Sequence, residues 1–291
     1  TKFNPSTIGG CYAHGCWNEL AYNSLFRIDP WVGDIGAIEG DVAESWSMSG
    51  DGKTLDITIR EGVTFYNNPH LPAEVASKVN GDAFTCEDMV ATFERMANPP
   101  KHEEPLMRTT RAMIPHYQST TCPDGDKGLS VVINFDPPKA RTMSTLIRGI
   151  AMLDKDWIEW LHSHEENIMN TDVPNNFLWQ SGTGAFRPDA INVGTSANWV
   201  KNEDYWRDGL PLLDKYENVV LRDATARFTA LATGNIHFYG EGSYGFTSGQ
   251  AEQAMRDFPD QIVINPQKNM WARVLYFNSA KPPFNDWRVR E

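Results

Sequence analysis

The sequence predicts a mixed α/β protein of layered helices and sheets, because strand-like and helix-like stretches alternate along its 291 residues. TLDITIR (Thr54–Arg60) interleaves Leu55, Ile57 and Ile59 with polar residues, the period of a half-buried strand, after a turn at SGDGK (Ser49–Lys53). The next long element is helical. Thr85 can cap free backbone amides with Asp88 three residues on, and Met89, Val90, Phe93 and Met96 share one helical face. Pro99 and Pro100 close that element. LSVVINF (Leu129–Phe135) reads as a buried strand, followed after PPKA by a helix over Ala140–Leu153. A second block begins near Gly182, in which ANWVK (Ala197–Lys201) and ENVVL (Glu217–Leu221) read as strands. DATARFTALATG (Asp223–Gly234) reads as a helix with Asp223 at its N-cap and Gly234 just past its end. A strand at NIHFY (Asn235–Tyr239), a helix over Thr247–Phe258 and strands at QIVIN (Gln261–Asn265) and RVLYFN (Arg273–Asn278) follow. RVRE reads as the first turn of a further helix, so a longer protein is expected.

Composition narrows the function classes. Hydrophobic residues are 41% and charged residues 22% of the chain, an ordinary globular balance. A compact chain of this length buries roughly 75% of its unfolded surface, so it needs no staples to fold. Even MSTLIRGIAML (Met143–Leu153) is broken by Arg148 and falls short of the ~18 apolar residues of a membrane span. The net charge is −12, with acidic residues spread along the chain. That argues against nucleic acid as a partner, since phosphates call for a basic patch. Four cysteines allow three pairings, and the C-x4-C spacing of Cys11 and Cys16 is a poor zinc pattern. Disulfides Cys11–Cys16 and Cys86–Cys122 would suit an exported protein, whereas four reduced thiols would suit a cytosolic one.

Two stretches invite chemistry. GEGSYG (Gly240–Gly245) fits the dinucleotide fingerprint G-x-G-x-x-G, between the strand-like NIHFY and the helix that follows. A dinucleotide site also needs an acidic residue at the end of the next strand to hold the ribose hydroxyls. QIVIN ends instead in Asn265 and Pro266, and Asp257 and Asp260 lie before it, so the fingerprint reads as a flexible glycine turn. HSHEE (His162–Glu166) gathers residues that metals favour, but His162 and His164 are two apart and fall on different helical faces. A solvated end of the WIEWL helix accounts for them more simply. No nucleophile elbow, Walker loop or kinase signature is present, so no catalytic residue, cofactor or metal ligand is assigned.

Seven segments in order along the chain resemble the family-5 extracellular solute-binding proteins, which serve ABC importers of oligopeptides, dipeptides, nickel complexes and some oligosaccharides. YNSLFRIDP (Tyr22–Pro30) is similar to the family's early helix-to-strand segment, and GDVAESWSMSGDGKTLDITIREGVTFYN (Gly40–Asn67) to its signature stretch. VNGDAFTCEDMVATFERMANP (Val79–Pro99) resembles the helix that follows, and SGTGAFRP (Ser181–Pro188) the return strand "GTGpy". KNEDYW (Lys201–Trp206) resembles "rNpdYW" with Glu203 in place of proline, and ARFTALATGNIHF (Ala226–Phe238) resembles "ar..al.sGeiD" with His237 in place of aspartate. YFNSAKPPFNDWRVRE (Tyr276–Glu291) completes the set.

The resemblance implies a periplasmic-binding-protein-like, type II, two-lobe fold with an extra subdomain in lobe 1 and most of the C-terminal lobe absent from this chain. Residues 1–24 and 176–272 would form the ligand-facing part of lobe 1, residues 25–175 the appended subdomain, and residues 273–291 the hinge strand and start of lobe 2. It implies a receptor, not an enzyme, that closes on a solute, peptides leading and oligosaccharides second, and hands it to ABC permease subunits. The expected location is outside the cytoplasmic membrane, as a monomer, with the choice between soluble and lipid-anchored forms left open. Cleft-facing stretches of the family fall here on Ile8–Gly15, Tyr239–Ser243 and Met270–Arg273. The implied contacts are Gly10, Cys11, Tyr12, Tyr239, Gly240, Glu241, Trp271 and Arg273, with Tyr12 and Trp271 as stacking walls and Arg273 paired to a carboxylate.

Overall fold

Apolar alternation in the strands is satisfied, among the described residues, by three antiparallel sheets. A computed structural model describes residues 18–28, 38–99, 114, 116–138, 146, 150–163, 177–238, 246–264 and 278–290. The short helix α1 (Asn18–Ala21) leads into a two-stranded ribbon of β1 (Phe26–Ile28) and β2 (Ile38–Gly40). Strands β3 (Ala43–Met48), β4 (Thr54–Ile59), β5 (Tyr117–Thr121) and β6 (Ser130–Phe135) form a sheet in the order β3-β4-β6-β5. Helix α2 (Ala73–Val79) precedes α3 (Cys86–Ala97), which packs on that sheet.

Leu55, Ile57 and Ile59 of β4 and Val131, Ile133 and Phe135 of β6 bury one sheet face against Met89, Phe93 and Met96 of α3. Each such side chain contributes roughly 1.5–3 kcal/mol when fully buried, so this face sets the registers Leu55↔Ile133 and Ile57↔Val131. The opposite face is polar. Ser45, Ser47, Asp56, Thr58 and Ser130 line a shallow depression of about 420 Å³ there. A second core packs α2 against α4 (Lys155–Ser163), with Val75, Val79, Trp157, Ile158 and Leu161 buried together with Tyr22 and Tyr66. Strands β7 (Phe186–Asn192), β8 (Ser196–Lys201) and β9 (Lys215–Val219) form an antiparallel meander. Its core is Trp199, 1% exposed and edge-on to Phe177 at 5.0 Å and Tyr216 at 5.8 Å.

The chain divides into two compact units, Thr1–Leu221 and Arg222–Glu291. The second contains α5 (Ala224–Ala232), α6 (Ser248–Asp257) and a 3₁₀ turn at Trp287–Val289. Phe228, Ala254 and Ile262 are buried there among the described residues, with Phe246 and Phe258 packed against Phe228. Asp223 caps α5 by accepting from the Ala226 N–H at 2.8 Å. Thr247 and Gln250 form a reciprocal box on α6, with bonds of 3.1 and 3.3 Å.

Two expected strands do not form in their described parts, and one expected helix forms there only in part. Asn235–Phe238 is not a strand: Gly234 turns the chain at φ +73°, and the Asn235 and Ile236 amides both donate to the Ala230 carbonyl. Those donors finish α5 and are unavailable to a sheet. Gln261–Ile264 is not a strand either, because the Gln261 and Ile262 amides donate to Phe258 at the end of α6. Of the helix expected over Ala140–Leu153, Leu146 is helical but Ile150–Leu153 is not: Met152 donates to the Asn23 carbonyl and Leu153 to the Thr92 hydroxyl. Residues 273–277 of RVLYFN lie outside the described residues.

Candidate functional site

Gly10, Cys11, Tyr12, Tyr239, Gly240, Glu241, Trp271 and Arg273 all lie outside the described residues, as do Cys16 and His164–Glu166. The described residues of the first unit define a framework. GEGSYG loses its strand context, since the Asn235 and Ile236 amides turn back onto the end of α5. His162 sits in the last turn of α4, and among the described residues no group of three His, Cys, Asp or Glu is placed to hold a metal.

The framework begins where Ser181–Gly184 crosses the end of α1. Gly184 donates to the Ala21 carbonyl at 3.0 Å, and Tyr66 donates to the Gly182 carbonyl at 2.9 Å. Both glycines are required by contact distance. A Cβ on Gly182 would lie 2.2 Å from the Ala21 oxygen, and one on Gly184 would lie 2.3 Å from the Ala21 carbonyl carbon. Gly184→Ala is therefore expected to lower the unfolding free energy by about 1–3 kcal/mol in urea denaturation. An unchanged midpoint would mean that this crossing is absent in solution.

A buried polar network continues from the same crossing. Asn23 accepts from the Trp206 indole N–H at 3.1 Å and donates through its amide to the Asp41 carboxylate at 3.1 and 3.2 Å. Asp41 also accepts from the Ser24 N–H at 3.1 Å and from Arg207 Nη2 at 2.6 Å. The Arg207 guanidinium lies 4.6 Å from the centre of the Trp206 ring, with Arg60 at 5.6 Å from it. Every member comes from YNSLFRIDP, the GDVAESW stretch, the following strand or KNEDYW and its next residue, so these segments hold the framework together. Sequence reasoning passed over Asn23, Asp41 and Arg207 as partners; their separation of up to 184 positions leaves no local signal.

Two carboxyls join α3 to α4. Asp88 accepts from the Thr85 N–H at 2.8 Å, the Thr85 hydroxyl at 3.2 Å and the Lys155 N–H at 2.9 Å. Asp154 caps α4 by accepting from the Trp157 N–H at 2.9 Å, and its second oxygen has no partner. Burial pushes Asp88 up to about 6 against these hydrogen bonds, and pushes Asp154 up to about 7, with Asp88 adding repulsion. Both hold protons in the folded state at pH values where the unfolded chain has released them. Their contribution is thus present below about pH 4 and lost as the pH rises through about 7. Asp154→Asn is expected to stabilise the protein at pH 8 by on the order of 2 kcal/mol. At pH 4 it should change little, and urea titrations at both pH values measure the difference.

This arrangement holds and positions; it contains no nucleophile activated by a base and an orienting group. Its family follows from comparison. A model of the bacterial extracellular solute-binding proteins, family 5, matches residues 37–291. The chain belongs to that family. It is 23% identical over 291 residues to the heme-binding protein A of Haemophilus influenzae, covering 99% of this chain and 49% of that protein. It is 22% identical to the peptide transport periplasmic protein SapA of Salmonella typhimurium, again over 99% of this chain and 49% of the relative. The chain spans about half the length of the curated relatives it matches. Among solved structures, the dipeptide-binding protein of a Pseudoalteromonas species, in complex with Met-Leu, superposes with a TM-score of 0.75 at 19% identity, covering 100% of this chain and 54% of that one. The periplasmic binding protein MoaA of Agrobacterium (A.tumefacien R10), in complex with mannopinic acid, gives 0.71 at 22% identity, covering 100% and 51%. The mixed α/β fold is thus that of periplasmic binding proteins, of whose solved chains this one matches about half. The Cys86–Cys122 disulfide is present and joins the start of α3 to the residue after β5.

Proposed function

We propose that the full-length protein is an extracytoplasmic receptor that captures a peptide between two hinged lobes and delivers it to an ABC import permease. Family membership over residues 37–291 carries this reading. Relatives whose names or complexes specify a peptide support the ligand class, among them SapA and a Helicobacter pylori protein bound to the peptide STSA. The oxidised Cys86–Cys122 pair suits a compartment outside the cytoplasm. In this reading residues 1–24 and 176–272 face the ligand, residues 25–175 form an appended subdomain and residues 273–291 enter the hinge. Gly10, Cys11, Tyr12, Tyr239, Gly240, Glu241, Trp271 and Arg273 supply contacts from lobe 1, and closure supplies much of the burial.

Native mass spectrometry of gently purified full-length protein, compared with its denatured mass, tests the ligand class. A released peptide supports the reading; a released sugar, metal complex or nucleotide cofactor overturns the peptide assignment. Titration calorimetry with that peptide then tests the contacts. Arg273→Ala should weaken binding roughly 10-fold or more through loss of a charge-assisted pair, at unchanged thermal stability. Equal affinity would remove Arg273 from the site.

A further inference from the structure

Strand β9 borders the three-stranded meander, and among the described residues no strand pairs with its outer edge. Backbone bonds fix which residues face that edge. Lys201 donates to the Asp214 carbonyl, Val220 donates to the Thr195 carbonyl, and the β8–β9 register runs between them without a shift. Even-numbered residues therefore turn their amides and carbonyls to β8, while Lys215, Glu217 and Val219 turn theirs outward. The side chains of these three are exposed, as is that of Leu213 two residues earlier. Leu213 is 61% and Val219 47% exposed, and their neighbours Leu212 and Val220 are 85% and 42% exposed. Apolar side chains thus flank a lysine and a glutamate at both ends of the edge.

An open edge is a template for another strand, and the charge order along it selects which one. In an antiparallel pair of two copies with a two-fold axis at Tyr216, Lys215 faces Glu217 of the second copy and Glu217 faces its Lys215. Leu213 then faces Val219, and Leu212 faces Val220. Moving the axis to Lys215 or to Glu217 sets like charges directly opposite each other, which is destabilising. Moving it to Asn218 places both charges opposite apolar residues. We propose that the outer edge of β9 is a homodimer interface, in which two copies pair antiparallel about Tyr216, in place of the monomer that the resemblance implies. The contact is isologous, so one Lys–Glu complement is used twice. The charged pairs fix the register, the apolar pairs at the ends leave water, and the two meanders join into one continuous sheet.

Sedimentation equilibrium of the full-length protein over about 1–100 μM tests the interface, since a contact of this small size dissociates in the micromolar range. Lys215→Glu and Glu217→Lys each create two like-charge pairs and should weaken self-association roughly 10-fold or more. The double variant Lys215→Glu/Glu217→Lys restores both complementary pairs and should return to within about threefold of the parent. Both positions are exposed, so all three variants are expected to melt with the parent. A parent that stays monomeric over the whole range overturns the proposal. A dimer that neither single variant weakens, or that the double variant does not restore, assigns the contact to another surface and overturns it as well.

Discussion

Arg207→Ala is expected to cost about 3–5 kcal/mol of stability, the largest effect among single substitutions in the framework. Arg207 and Asp41 are 17% and 9% exposed at their side chains and meet at 2.6 Å. Removing the guanidinium leaves the Asp41 carboxylate buried with only the Asn23 amide and the Ser24 N–H to solvate it. Trp206 loses the cation stacked on its ring at the same time. The cost arises from an uncompensated buried charge, not from the net value of the pair. The double variant Asp41→Asn/Arg207→Ala should therefore recover part of the loss. Urea denaturation followed by tryptophan fluorescence measures both. A loss below about 1 kcal/mol for the single variant would mean that the pair is solvated as a surface bridge is.

Opening the Cys86–Cys122 disulfide is expected to cost about 4 kcal/mol, because the bond closes a loop of 36 positions in the unfolded chain. The loop spans the whole of α3 and β5, so its release frees two elements of the main core. The ion pairs beside it will not compensate. Lys155 reaches Glu87 at 3.1 Å and Lys127 reaches Asp82 at 3.6 Å, but the lysines are 42% and 63% exposed. Cys86→Ser/Cys122→Ser, compared with the parent in oxidised and reduced buffer, isolates the bond. The parent should lose stability on reduction and the variant should not respond. A parent indifferent to reductant would show that native packing, not the cross-link, sets the stability of this subdomain.

Elements with strong local signals were legible in the sequence. The period-two run in TLDITIR became β4, the Thr85–Asp88 pairing opens α3, and Asp223 and Thr247 cap α5 and α6. In each the decisive contacts lie within a few residues, where spacing alone arranges them. NIHFY misled because β-branched and aromatic residues favour a strand, while the positive-φ Gly234 before it turned their amides back onto the helix. Ile150–Leu153 misled for the opposite reason: apolar residues suited to a helix are buried in an irregular segment, where the Met152 and Leu153 donors go to Asn23 and Thr92.

By itself, then, the sequence determined the α/β class, the capped helices, the core-facing strands and, through seven ordered segments, the family. Those features rest on periodicity, capping and motif order, all of which are short-range properties of the chain. Only the tertiary structure decided that Asn23, Asp41 and Arg207 form one buried network and that Gly182 and Gly184 are required by the approach of Ala21. Such pairings join residues 18 to 166 positions apart, and nothing in the local composition of either partner encodes the other.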